Sequence, residues 1–131
     1  KKFSFLFLFT YCFFPLFGQE VLDNNPPYIR WQQVHTPHFS VLFPNGFDVQ
    51  AIRVANTLEH IYEPESRTLG VKPRKISVIL QNQSSFSNGF VSMMPRRTEF
   101  FTMPSQNYNF LGTNDWLDLL ASHEYRHIVQ Y

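Results

Sequence analysis

The chain has 131 residues, of which 44% are apolar, 18% aromatic and 16% charged, and its formal net charge is +1. This balance excludes a long disordered tail and a polybasic nucleic-acid binder, and the length suits one domain.

The aromatic residues are unevenly spread, with eight in the first 17 positions. Lys1 and Lys2 precede an apolar run from Phe3 to Phe17, broken by Ser4, Thr10 and Pro15, and Gly18-Gln19-Glu20 then turns polar. A run of about 15 residues is short of the roughly 20 that span a bilayer as a helix. Residues 1–18 therefore read as a signal peptide cleaved after Gly18, which predicts a protein exported to the periplasm, the outer-membrane region or the exterior. Cys12 lies within this leader behind the bulky Tyr11, which argues against lipid attachment. The 113 residues from Gln19 onward hold nine Lys and Arg against ten Asp and Glu and contain no cysteine. No charged partner is implied there, and neither a disulfide framework nor a thiolate site is available.

Residues 19–27, closed by Pro26-Pro27, form a polar linker, and the fold is expected over 28–131. From His38 to Phe43 the side chains alternate, with Phe39, Val41 and Phe43 on one face, the period of a half-buried strand that Pro44-Asn45-Gly46 ends. From Asp48 the period becomes helical: Ala51, Val54, Ala55, Leu58, Ile61 and Tyr62 share one arc, opposite Arg53, Asn56, Glu59, His60 and Glu63. Pro64 is expected to kink or end this helix, with Gly70 as its final stop. Lys75 to Gln81 is β-branched and alternating, which predicts an inner strand. Two short extended pieces, Phe90–Met94 and Glu99–Thr102, read as a hairpin around Pro95-Arg96-Arg97, and Pro95 and Pro104 point to a sheet edge.

Thr113-Asn114 offers an N-cap, Asp115 and Asp118 favour the first turn, and no Pro or Gly interrupts Trp116 to Tyr131, so the chain ends in a helix. Within it stands His123-Glu124-Tyr125-Arg126-His127, an H-E-x-x-H pattern. Residues four apart on a helix differ by about 40° and about 6 Å of rise, so both imidazoles can reach one metal ion. Glu124 falls at the edge of the same face, placed to act as a base without binding the metal. Zinc suits two neutral imidazoles and lowers the pKa of a coordinated water, so that Glu124 can take a proton during attack on a carbonyl. With five His and ten Asp and Glu in 131 positions, chance supplies only about 0.01–0.02 such patterns per chain. Trp116, Leu120 and Tyr131 lie within about 80° of His123, which places the histidines on the face that packs against the sheet. His35 and His38, three apart around Pro37, suit no metal site, and His60 is expected in solvent.

The order strand, long helix, strand, hairpin and H-E-x-x-H helix resembles the amino-terminal half of a thermolysin-like gluzincin domain. More closely, Trp31, His38–Pro44, the helix with Ala51, Leu58 and Glu59, Leu69-Gly70 and Leu111-Gly112-Thr113 resemble the peptidase-MA-like domains of exported bacterial proteins. There the domain often precedes a TolB-like β-propeller. The resemblance implies an α+β fold, a small mixed or antiparallel sheet packed by one amphipathic helix and the metal-binding helix. It implies Zn2+ held by His123 and His127, Glu124 as the general base, a peptide or protein substrate, and an edge strand, either Phe90–Met94 or Glu99–Thr102, that pairs with extended substrate. Gluzincins take a third ligand, a Glu, from a later helix, which would lie beyond residue 131. A metzincin would need Gly where Gln130 stands.

Three functions follow as expectations. The first is an exported zinc metallopeptidase, of which this chain is the amino-terminal half, inactive alone, weak in zinc binding and left with exposed apolar surface. The second is a non-catalytic peptidase-like binding or assembly module of a larger cell-envelope protein. The third is another metal-assisted hydrolase, since the motif specifies hydrolytic machinery and not the bond. A downstream Glu on a helix separates the first from the second.

Overall fold

The computed structural model describes residues 25–106 and 114–130. The leader, most of the linker, Leu111-Gly112-Thr113 and Tyr131 lie outside these residues. The fold is α+β. Its order is β1 (Trp31–His35), β2 (Phe39–Pro44), α1 (Asp48–Leu69), β3 (Ile76–Gln81), β4 (Gly89–Met93), β5 (Arg96–Phe101) and α2 (Trp116–Gln130). The five strands form one mixed sheet in the order β1-β2-β3-β5-β4. The three inner strands run parallel, and β1 and β4 pair antiparallel at the two edges. Among the described residues no helix is long and apolar enough to cross a membrane.

The strand alternation decides which face is covered. Phe39, Val41 and Phe43 of β2, Ile76, Val78 and Leu80 of β3, and Phe100 of β5 are buried and share one side by register. Ala51, Val54, Ala55, Leu58 and Tyr62 of α1 and Leu117, Leu120, Ala121, Tyr125 and Ile128 of α2 join them in one core. Both helices therefore lie on the same face of the sheet, side by side.

Four sequence expectations need correction. β1 was not expected: in Trp31-Gln32-Gln33-Val34-His35 only Val34 packs on the core, so an exposed edge strand carries almost no hydrophobic pattern. Of the two effects expected of Pro64, a kink or an end, the end does not occur, and α1 runs on to Leu69. Tyr62 and Ser66, on either side of it, are buried and bonded to Tyr125, so packing carries the helix past an exposed proline. The helix stops at Gly70, in the left-handed conformation at φ 73°. Only β4 of the hairpin is at an edge, because β5 pairs with β3 as well. Its two prolines do not forbid this, since Pro95 sits in the Met94-Pro95 turn and Pro104 falls after the strand. Finally, the N-cap of α2 is Asp115, which accepts from the Leu117 amide through Oδ1 at 3.0 Å and from the Leu119 amide through its carbonyl at 3.1 Å.

The two helices are also tied by charge. Arg53 of α1 donates to Asp118 of α2 at 2.6 Å from Nη2, and Thr57 donates to the same carboxylate at 2.9 Å. The hydrogen bond from Arg53, with that from Thr57, holds the Asp118 carboxyl below its ordinary range. A carboxylate whose folded pKa is depressed stabilises the fold above its unfolded pKa, and this is lost as pH falls through the folded value. Asp118→Asn is therefore expected to flatten the acid limb of stability below about pH 4. Urea midpoints at pH 6 and pH 3 check this, and an unchanged pH slope in the variant would refute it.

Candidate metal centre

α2 carries the three motif residues and sets Glu124 against Gly89 of β4, at an edge of the sheet. On a helical wheel the buried residues of α2, from Trp116 to Val129, centre about 110° from Trp116, while His123 lies about 130° and His127 about 90° from that centre. Accordingly Glu124 is buried at 3% exposure, His123 is exposed and His127 is half-buried. This reverses the expected placement of the histidines against the sheet. Trp116 and Leu120 are buried as expected, but they lie at the margin of the apolar arc, whose middle is Leu117, Ala121 and Ile128.

The two imidazoles converge. Their Nε2 atoms are 3.3 Å apart, with ring planes at 77°. Two nitrogens each about 2.0–2.1 Å from one tetrahedral zinc stand about 3.3–3.4 Å from each other, so the observed spacing fits a shared ion. An Nε2–H···Nε2 hydrogen bond suits the same separation, and a metal would replace it. Among the described residues no Cys, Asp, Glu or further His completes a cluster of three with them.

Glu124 is the unusual group. No described residue donates a hydrogen bond to its carboxylate or pairs with it, although the side chain is nine-tenths buried and more. Burial pushes its pKa up, and the nearby His123 and His127 pull it the other way. Gly89 at the start of β4 borders it, and an added Cβ there would stand 3.0 Å from both Cγ and Oε1 of Glu124. Sequence reading assigns Gly89 no part, because nothing local shows that α2 comes so close.

The remaining motif positions hold the helix. Tyr125 is fully buried, and its hydroxyl meets Ser66 Oγ at 2.8 Å and donates to the Tyr62 carbonyl at 3.2 Å. Arg126 pairs with Glu65 at 3.0 Å, and Arg96 Nη2 donates to the Ile128 carbonyl at 3.3 Å.

The other histidines are engaged elsewhere. His35 Nδ1 lies 3.0 Å from Ser40 Oγ. His38 is bonded to Glu59 at 2.7 Å and stacked on Tyr62 at 3.6 Å, and His60 is exposed. A polar cluster that sequence reading missed lies on the sheet face away from the helices, where Glu99, only 1% exposed, takes hydrogen bonds from Arg97 at 2.5 Å and Gln81 at 3.0 Å. Glu99 thus has partners on both carboxylate oxygens, which marks it as structural.

No family model, no curated protein and no solved structure matches this chain.

Proposed function

We propose that the chain carries the zinc-binding helix of an exported metallopeptidase. The observation that supports this best is the 3.3 Å convergence of the His123 and His127 Nε2 atoms beside Glu124, a residue only 3% exposed whose carboxylate has no hydrogen-bond partner among the described residues. A zinc ion held by these imidazoles supplies Lewis acidity towards water and a peptide carbonyl. Glu124 receives the proton of the attacking water and returns it to the leaving amine. Burial raises the pKa of this carboxylate, which strengthens it as a proton acceptor. His123, exposed, and His127, half-buried, leave the metal-facing side open to a ligand. β4, at an edge of the sheet among the described residues, is the strand on which an extended peptide backbone would pair, with its chain running past Gly89 and Glu124. The third protein ligand implied by the gluzincin resemblance is not among the described residues.

Zinc titration against a competing chromophoric chelator tests the proposal. His123→Ala and His127→Ala are each expected to weaken binding by roughly 10²-fold. Binding that is unchanged in both variants would exclude this site.

A further inference from the structure

Gly89 is a glycine that its backbone does not require. Its φ is not positive; among the described glycines only Gly46 and Gly70 have that property. It lies within β4, buried, paired with Phe100, in an extended segment where glycine weakens a strand. What the position does require is space. The three nearest atoms that a Cβ would meet all belong to Glu124, namely Cγ and Oε1 at 3.0 Å and Cδ at 3.1 Å.

We infer that Gly89 is the positioning residue for the Glu124 carboxylate: the missing side chain on β4 is the seat of the buried acid. The inference rests on the metallopeptidase reading for its catalytic meaning, while the contact itself stands on geometry alone. Glu124 reaches this seat from α2, which the hydrogen bond between Tyr125 and Ser66 ties to α1. A methyl group at position 89 must displace the carboxylate by a few tenths of an ångström, and no imidazole atom is among the three nearest to that methyl. General-base catalysis is sensitive to displacements of this size, because the base must lie within hydrogen-bond reach of the proton it takes.

The test is a double-mutant cycle in thermal denaturation, with Gly89→Ala placed in the wild-type, Glu124→Gln and Glu124→Ala backgrounds. Gln keeps the shape of Glu, and Ala removes all three crowded atoms. Gly89→Ala is expected to lower Tm by roughly 4–8 °C in the first two backgrounds. In Glu124→Ala it is expected to raise Tm by roughly 2–6 °C, the ordinary gain from replacing glycine in an unstrained conformation. The same sign in all three backgrounds would overturn the inference. Zinc titration provides the second arm. Gly89→Ala is expected to bind zinc within about threefold of wild type, since it acts on the base and not on the ligands. A loss as large as that of His123→Ala would mean that Gly89 supports the whole helix, and would also overturn it. If the Tm signs reverse as expected while the wild-type chain binds no zinc, the metal reading fails and the seat for Glu124 stands.

Discussion

Replacing Glu124 by Gln in the active, zinc-loaded protein is expected to lower peptide hydrolysis by about 10²–10⁴-fold while the zinc stays bound. Gln has the same length and branching, so it still fits beside Gly89, and both imidazoles are untouched. What disappears is the capacity to accept a proton. The carboxylate is suited to that task because no described residue occupies its oxygens and because burial raises its pKa. Cleavage of a quenched fluorescent peptide, measured together with zinc content, checks the expectation. Full activity in the variant would remove Glu124 from the chemistry. Loss of zinc along with activity would make it a ligand and not a base.

The second large effect concerns stability. Tyr125 has no exposed surface, and its ring packs edge-on against Phe39 at 5.8 Å and near Tyr62 at 6.1 Å. Tyr125→Ala empties this space and is expected to cost about 3–5 kcal/mol. Tyr125→Phe keeps the ring but leaves Ser66 Oγ and the Tyr62 carbonyl without the hydroxyl, and is expected to cost about 1–2 kcal/mol. Urea denaturation of both variants separates packing from hydrogen bonding. Equal losses would contradict the division, and a loss below about 1 kcal/mol for Tyr125→Ala would contradict the anchoring of α2 through this residue. Because Tyr125 lies between Glu124 and His127 in the chain, the same anchor fixes the orientation of the motif.

How far the fold can be read from the residues depends on where each element sits. Inner strands and buried helix faces announce themselves: β2, β3 and the Ala51–Tyr62 face of α1 carry the periodicities that burial imposes. β1 is silent, since an edge strand with one core residue needs no pattern. Pro64 misleads because local backbone chemistry opposes the helix there, and the contacts of Tyr62 and Ser66 with α2 prevail. The candidate site divides in the same way. The i, i+4 spacing of His123 and His127 is a local property of a helix, and the imidazoles converge accordingly. Which face of α2 turns inward is a tertiary property. Trp116 and Leu120, at the margin of the arc, drew the expected core towards the histidines, whereas Leu117, Ala121 and Ile128 define its centre. Gly89 was beyond reach for a related reason. Its role depends on a neighbour 35 positions away, and a single glycine after Ser87-Asn88 looks like loop chemistry until β4 and α2 are seen together.

The central claim is that His123 and His127 hold one zinc ion between their Nε2 atoms, and zinc K-edge X-ray absorption of the zinc-loaded chain addresses it most directly. The expected spectrum shows two imidazoles, each with its nitrogen about 2.0–2.1 Å from the metal, and one imidazole fewer in each of His123→Ala and His127→Ala. A spectrum with no imidazole scattering, or one that neither substitution alters, would contradict the claim.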